Sequence, residues 1–239
     1  MIIGKQKMKT VILTLSNEEN GYDKMVQSCR DTWAKNPPEN TKVFYNYGET
    51  FLQRRKIDIP PGHCTLVGED CIGCMAPESY GFLLAKTVMA FNALLQSEEF
   101  DYLVRPNCGS YLNLDLLNKF LESAPREKYY CGKTGEWNDI TYVSGSCMIF
   151  SRDVVQMMVD NADKMHYDGR GGKMDDVAIG EFLTSNGIVP CNNGQRVMCE
   201  EHEIADRFDG TCYHHHFKGT RNSKCHHLIH ERFAMETAQ

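Results

Sequence analysis

Short hydrophobic runs alternate with stretches of helical periodicity through the first 190 residues of the chain. Runs of strand length, rich in β-branched and aromatic residues, occur at residues 10–16, 42–49, 100–105, 128–133 and 140–150. Apolar positions repeat with helical spacing at residues 23–33, 78–96, 114–122, 151–162 and 175–185. Because strands alternate with helices, the chain is predicted to adopt an α/β fold built around one sheet.

Three local features refine this prediction. The stretch 78–96 predicts a long helix whose apolar face carries Phe82, Ala85, Val88, Met89 and Leu95. Residues 50–77 contain a Pro-Pro pair with scattered Gly and Cys, and are predicted to be irregular. Ser151 is predicted to cap the helix that follows it, and Asn186-Gly187 to end the helix at 175–185.

The last 49 residues differ in composition from the rest. Residues 191–239 hold four of the eleven Cys and seven of the nine His, and show little apolar periodicity. We therefore expect a main domain at 1–190 and a Cys/His-rich C-terminal extension at 191–239 that packs on the same domain. A strand through the HHH segment would place His214 and His216 on one face and His215 on the other.

Charge and cysteine content exclude several classes of protein. With 26 Lys and Arg against 32 Asp and Glu, the net charge is −6, which argues against a broad nucleic-acid surface. Apolar runs fall far short of the roughly 20 residues of a membrane span, and MIIGKQKMKT does not look like a signal peptide. An odd number of cysteines without such a signal predicts reduced thiols in a soluble, cytoplasmic protein.

Two adjacent carboxylates are the first candidate for chemistry. Asp175 and Asp176 open the helix predicted at 175–185, after a glycine-rich loop at 168–172. The helix dipole favours negative charge at this position, and a carboxylate held there can take a proton from a hydroxyl nucleophile. The alternative is that the pair only caps the helix.

The end of the third strand and the basic tail are further candidates. Ligands of open α/β sheets bind at the carboxyl ends of strands, where the polar residues Asn107, Gly109, Ser110 and Asn113 lie, although a plain turn is the alternative. Lys218 and Arg221 in the tail can neutralise phosphate charge. Imidazole and thiolate are common metal ligands, so a zinc-stabilised interaction domain built on the Cys/His tail stays open. Cys71 and Cys74 have half of a zinc-site spacing, but no second C-x-x-C follows, and ordinary reduced cysteines are the alternative.

Five segments in order resemble GT-A-type glycosyltransferases, closest to the β-1,3-galactosyltransferase and Fringe-like family. They are CRDTW at 29–33, ESYGFLLAKT at 78–87, DYLVRPNCGSYLNLDLL at 101–117, YVSGSCMIFSRDVV at 142–155 and DDVAIG at 175–180. The resemblance implies a nucleotide-sugar-binding fold with a central mixed, mostly parallel sheet flanked by helices. Relatives of this kind occur in large DNA viruses. Most relatives with the Fringe-like pattern are anchored in the secretory pathway, and the expected absence of a membrane anchor here favours a microbial or viral setting.

One departure from that family concerns the metal. Its acidic DxD positions fall on Asn107, Cys108 and Gly109, so the carboxylates that would hold Mn²⁺ or Mg²⁺ are missing. Three outcomes stay open: phosphate charge met by Lys86, Arg105, Lys218 and Arg221, a weak metal site of Asn107 and His216, or a domain that binds without catalysing.

The resemblance implies an inverting glycosyltransferase that moves a hexose or deoxyhexose from a nucleotide-diphosphate sugar, a UDP-sugar first, to a glycan or glycoprotein hydroxyl. Asp176 would be the general base, and Asp175 would orient it or bind the acceptor. The donor would contact Thr14, Ser16, Arg30, Lys86, Arg105, Asn107, Ser110, Lys218 and Arg221, and the acceptor Ser144 and Gly145. The alternatives are a non-catalytic nucleotide- or glycan-binding module of the same fold and the zinc-stabilised domain.

Overall fold

The computed structural model describes residues 7–165, 174–217 and 223–237. Its strands are β1 Thr10–Leu15, β2 Thr41–Tyr47, β3 Cys64–Val67, β4 Cys71–Cys74, β5 Tyr102–Pro106, β6 Ser110–Leu112, β7 Tyr130–Trp137, β8 Ile140–Ser151, β9 Cys191–Asn192, β10 Val197–Cys199 and β11 His214–Phe217. Its α-helices are α1 Tyr22–Asp31, α2 Glu49–Arg54, α3 Leu83–Ser97, α4 Leu114–Leu121, α5 Arg152–Asp160, α6 Asp175–Ser185, α7 Ile204–Arg207 and α8 Lys224–Thr237.

A central eight-stranded sheet has the order β3-β4-β2-β1-β5-β8-β7-β9. The pairs β4/β2, β2/β1, β1/β5 and β7/β9 are parallel, whereas β3/β4, β5/β8 and β8/β7 are antiparallel. A small second sheet has the order β10-β11-β6. The predicted α/β fold with a mixed, mostly parallel sheet is therefore confirmed.

Both faces of the central sheet are covered by helices. Strand β1 shows why, because its side chains alternate between two hydrophobic clusters: Ile12 belongs to one, and Val11 and Leu13 to the other. The first cluster includes residues of α1, α4 and α8, and the second includes residues of α3, α5 and α6. A strand buried on both faces reads as a continuous apolar run, as this one does.

The helix predicted at 78–96 begins later, and its predicted apolar face is buried only in part. A 3₁₀ turn occupies Tyr80–Phe82, and α3 follows it. Phe82 and Ala85 are exposed, whereas Leu84, Phe91 and Leu94 are buried. Of the predicted face, Val88 is buried and Met89 and Leu95 pack against the core. The segment has apolar residues on more than one stripe, and contact with β3, β4 and α5 selects which of them are buried.

Residues 50–77 are not irregular as predicted. They contain most of α2 and the β3/β4 hairpin that extends the sheet. Gly73 allows α2 to approach, because a Cβ there would lie 2.4 Å from Leu52 Cδ2. Ser151 occupies the N-cap position of α5 as predicted, but its hydroxyl accepts from no N–H of that helix; it donates to the Asp153 carboxylate and accepts from Tyr129 N–H at 2.9 Å.

The C-terminal segment shares its core with the rest of the chain. Cys199, Tyr213, Cys225 and Ile229 belong to the hydrophobic cluster that also holds residues of β1 and α1. The helix α8 escaped prediction because histidines surround its buried positions Cys225, Ile229 and Phe233. All eleven cysteines are free thiols. No helix in the described ranges is long and apolar enough to cross a membrane.

Candidate functional site

A cleft of about 700 Å³ opens at the carboxyl ends of β1 and β5. Nine of the residues predicted for the site line it together: Ser16, Lys86, Arg105, Asn107, Ser144, Gly145, Asp175, Asp176 and His216. The parallel pairing of β1 and β5 brings their ends to the same edge, and an isolated bridge joins Leu15 to Asn107. This is where α/β sheets bind ligands.

A buried ion pair closes the base of the cleft. The Arg105 guanidinium on β5 donates to the Asp175 carboxylate at the start of α6, and the two side chains are 1% and 8% exposed. Arg105 Nη1 also donates to the Gly145 carbonyl oxygen at 3.3 Å. Three elements, β5, β8 and α6, are thereby tied together at one point. Asp175 is engaged with Arg105, so the interpretation that it only caps α6 does not describe its contacts.

Asp176, the next residue, is held by backbone donors. Its Oδ2 accepts from Gly145 N–H at 2.9 Å and its Oδ1 from Val177 N–H at 3.0 Å. Burial raises the pKa of the Asp176 carboxyl, and the neighbouring Asp175 raises it further, while the two backbone donors lower it. Gly145 permits this closeness, because a Cβ there would lie 3.4 Å from Asp176 Oδ2 and 3.2 Å from Arg105 Nη1.

A second buried ion pair lies on the opposite wall. Lys86 Nζ donates to Glu78 Oε2 at 2.7 Å and to the Ser16 carbonyl oxygen at 3.0 Å. The side chains of Lys86 and Glu78 are 3% and 6% exposed. Glu78 Oε1 also accepts from Gly48 N–H at 2.5 Å. Lys86 therefore does not extend from α3 to solvent; it links α3 to the end of β1 with its charge neutralised by Glu78.

The loop after β5 presents neutral groups to the cleft. Asn107 Oδ1 accepts from Gly109 N–H at 3.1 Å and from the Ser110 hydroxyl at 3.2 Å. Ser110 Oγ also lies 3.2 Å from His216 Nδ1 and 3.0 Å from His214 Nε2. Burial lowers the pKa of His216 to about 4, and the pKa of His214 is lowered for the same reason. Both imidazoles are therefore neutral at pH 7.

This donor set does not fit the divalent metal that the resemblance implies. Hard cations prefer anionic oxygens, but Asn107 supplies one neutral oxygen that is already shared between two donors. In the described part of the chain, no three His, Cys, Asp or Glu side chains are placed to hold a metal ion. Asn107 and His216 share a wall of the cleft, yet both turn toward Ser110 instead of forming a metal site.

Several residues predicted to contact the nucleotide sugar do not line the cleft. Arg30 is not brought to the cleft: α1 directs it to Asp70, 2.9 Å away, and over the Tyr45 ring. Thr14 is fully buried in the sheet. Ser110 is buried behind the Asn107 loop, and its hydroxyl donates to the Ser146 carbonyl oxygen at 2.8 Å. Lys218 and Arg221 lie outside the described residues.

Three residues of the cleft region were not predicted from the sequence. Arg196 Nη1 donates to Ser144 Oγ at 2.9 Å and to Ser146 Oγ at 3.3 Å, both on the cleft wall. Glu78 pairs with Lys86, a role that its motif did not suggest. Tyr80, in the same resembling segment as Glu78, is 63% exposed at the cleft, whereas Trp33, in another of these segments, is buried. Arg196 precedes a short strand, where no periodicity marked it.

Solved glycosyltransferases share this fold. A glycosyltransferase involved in the glycosylation of the major capsid of PBCV-1 is similar with a TM-score of 0.55 and 8% identity, over 95% of this chain and 99% of that chain. The apo-form glycosyltransferase GlyE of Streptococcus pneumoniae TIGR4 is similar with a TM-score of 0.51 and 9% identity, over 96% of this chain. The match covers 64% of the GlyE chain, which is less than two thirds of its length.

Similarity is confined to structure. No protein-family model matches the chain, and no curated protein matches it in sequence. The α/β fold is thus that of solved glycosyltransferases, at identities that carry the fold alone.

Proposed function

We propose that the protein is an inverting glycosyltransferase that moves a sugar from a nucleotide-diphosphate sugar to a hydroxyl of a glycan or glycoprotein acceptor. The observation that carries the proposal is the Asp176 carboxylate, which lines the cleft at the strand ends and is fixed by the N–H groups of Gly145 and Val177. The fold shared with solved glycosyltransferases supports it.

The donor binds across the ends of β1 and β5. Its nucleotide lies near Ser16 and Lys86, and its diphosphate near Asn107, with a UDP-sugar carrying a hexose or deoxyhexose as the first expectation. Support for a finer relation to the β-1,3-galactosyltransferase and Fringe-like family comes from position: Lys86, Gly145 and Asp176, each from a different one of the five resembling segments, line one cleft.

Asp176 acts as the general base. A carboxylate oxygen of Asp176 takes the proton of the acceptor hydroxyl while the hydroxyl oxygen attacks the anomeric carbon. The new C–O bond forms on the face opposite the leaving group. The bond from the anomeric carbon to the phosphate oxygen breaks, and the nucleoside diphosphate leaves with its electron pair, so configuration inverts without a covalent intermediate. The raised pKa of Asp176 suits this role, since a stronger base takes the proton more readily.

Asp175 is a positioning residue in this scheme. It holds Arg105, and Arg105 in turn contacts the Gly145 carbonyl, next to the N–H that fixes Asp176. Ser144 and Gly145 border the side of the cleft where the acceptor enters. No step is assigned to a divalent metal, because the strand-end residues do not fit one.

The direct test is turnover. Purified protein is incubated with a panel of nucleotide-diphosphate sugars and a mixed-glycan acceptor, and release of nucleoside diphosphate is measured together with the anomeric configuration of the product by NMR. Release of one nucleoside diphosphate with an inverted product supports the proposal. A product with retained configuration would contradict the inverting mechanism. If no nucleoside diphosphate is released from any donor, the protein is not an enzyme of this class.

A second candidate is a non-catalytic module that binds a nucleotide or glycan. The neutral Asn107 loop favours it, since this is where the resemblance implies metal-binding carboxylates. Binding of a nucleoside diphosphate, detected by thermal shift, with no turnover of any nucleotide sugar would select this candidate. The zinc-stabilised domain has no support among the described residues, because no three His, Cys, Asp or Glu side chains, whether around Cys71 and Cys74 or in the described part of the tail, are placed to hold a metal ion.

A further inference from the structure

Two of the cations around the cleft are already neutralised. Lys86 is bonded to Glu78, and Arg105 to Asp175, and all four side chains are buried. An ion pair of this kind orders the walls of a site, but it adds little net positive charge for an anionic ligand. The diphosphate of a nucleotide sugar needs a cation that has no carboxylate of its own.

Arg196 meets that requirement. Within the described ranges, no carboxylate oxygen lies within 4.0 Å of its guanidinium, and the hydrogen bonds that it makes go to two neutral hydroxyls, Ser144 and Ser146. It is half-buried, and burial lowers its pKa. A desolvated arginine held only by hydroxyls keeps its full charge available to a ligand.

The surroundings of Arg196 place it at the phosphate end of the cleft. Ser146 holds Ser110 through its carbonyl oxygen, and Ser110 in turn bonds Asn107, which follows β5. Arg196 therefore lies directly behind Ser144 and Ser146 on the cleft wall, and Ser146 and Ser110 connect it to the Asn107 loop, where the DxD resemblance implies a metal ion but no anionic ligand is present.

We infer that Arg196 binds the diphosphate of the donor directly, in place of a divalent metal ion. The planar fork of the guanidinium matches two phosphate oxygens, and the bonds to Ser144 and Ser146 fix its orientation before the ligand arrives. The inference rests on the proposed function for its donor, but it also predicts an anion site that can be measured without any sugar transfer.

Calorimetric titration with pyrophosphate, UDP and uridine tests this assignment. The full-length wild-type chain is compared with Arg196→Gln and Arg196→Lys, all in EDTA. Arg126→Gln is the matched control, because Arg126 is an exposed arginine paired with Asp101 outside the cleft. Wild type should bind pyrophosphate and UDP without a metal, and Arg196→Gln should weaken both by about tenfold or more, the effect of losing one charge-assisted hydrogen-bonded contact. Arg196→Lys should recover part of the loss, whereas uridine affinity and the control variant should match wild type.

Three outcomes overturn the inference: pyrophosphate and UDP that bind wild type only with Mn²⁺ or Mg²⁺, pyrophosphate that does not bind at all, or equal affinities in wild type and Arg196→Gln. Turnover separates it from the proposed function. If wild type transfers sugar and Arg196→Gln binds pyrophosphate and UDP as tightly as wild type, only the proposed role of Arg196 is wrong. If pyrophosphate binding depends on Arg196 but the protein turns over no nucleotide sugar, only the proposed transferase function is wrong.

Discussion

Arg105 and Asp175 form a buried ion pair that joins the end of β5 to the first residue of α6. The two residues are 70 positions apart in sequence, and neither carries a local signal for the other. Through the pair, the strand that ends at the Asn107 loop and the helix that begins with the proposed base are fixed relative to each other.

The Arg105–Asp175 pair predicts strong coupling in stability. Asp175→Leu should lower the free energy of unfolding by about 3–5 kcal/mol, because it leaves a buried guanidinium without its partner. The double variant Arg105→Met/Asp175→Leu should recover much of that loss. Urea unfolding of the single and double variants measures the coupling energy.

The exposed pair Arg126–Asp101 is the control for that cycle. Its side chains are 46% and 37% exposed, so its coupling should be no more than about 1 kcal/mol. If the stability losses of the two single variants at the buried site add up in the double variant, Arg105 and Asp175 do not depend on each other.

Asp176→Asn should separate chemistry from binding. The amide keeps the shape of the side chain but cannot take the acceptor proton, so kcat should fall by about 10²–10⁴-fold while nucleotide affinity stays near wild type. Asp115→Asn, on the exposed face of α4, is the matched control. Transfer by Asp176→Asn at a rate close to wild type would remove Asp176 as the base.

The fold could be read from the sequence further than the site could. Strand β1 and helix α6 were predicted almost to the residue, because a continuous apolar run and a helix bounded by Asp-Asp and Asn-Gly are local signals. The β3/β4 hairpin could not be, since its strands are four residues long and are stabilised by pairing with β2 and packing against α3.

The site divides in the same way. Asp175, Asp176 and Asn107 were found from their positions at a helix start and a strand end. Glu78 and Arg196 were not predicted for the site. Glu78 pairs with Lys86 across the 3₁₀ turn before α3, and Arg196 reaches Ser144 and Ser146 from a distant segment, so neither contact has a local sequence signal. Arg30 shows the reverse error: it lies in a segment that resembles a family motif, but the turn of α1 aims it at Asp70.

Buried histidines predict a loss of stability in acid. The pKa is lowered to about 4 for His215 and His216 and to about 3 for His226, by burial in each case. The unfolded chain takes up these protons near the usual value of about 6.5, whereas the folded chain does not. Their contribution to stability is therefore present above pH 6.5 and is lost as pH falls from there toward 4, by up to about 1.4 kcal/mol per pH unit for each histidine.

His226 offers a way to check this term. Its Nδ1 lies 2.5 Å from the Ser28 hydroxyl, and the contact links α8 to α1. His226→Gln removes the titrating group, so stability measured by urea unfolding should fall less steeply between pH 6.5 and 4 than in wild type. His202→Gln, at an exposed histidine, should keep the wild-type slope. An unchanged slope in His226→Gln would mean that this histidine titrates alike in the folded and unfolded chains.

Gly180 predicts how tightly α6 must pack to present Asp176. It lies in the second turn of α6 against β8, and a Cβ there would meet Tyr142 Cβ at 2.5 Å and Tyr142 Cα at 2.8 Å. Alanine stabilises an exposed helix over glycine by roughly 1 kcal/mol, but here the clash involves backbone atoms that cannot move aside.

Gly180→Ala should therefore lower stability by about 1–3 kcal/mol and, by moving α6 off β8, weaken the hydrogen bond between Gly145 and Asp176. Thermal unfolding and transfer rate measured on the same samples check both effects. Gly81→Ala is the comparison, because a Cβ there would have no neighbour nearer than 3.9 Å and its φ is not positive. A Gly180→Ala protein with wild-type stability and rate would show that α6 can shift without disturbing the site.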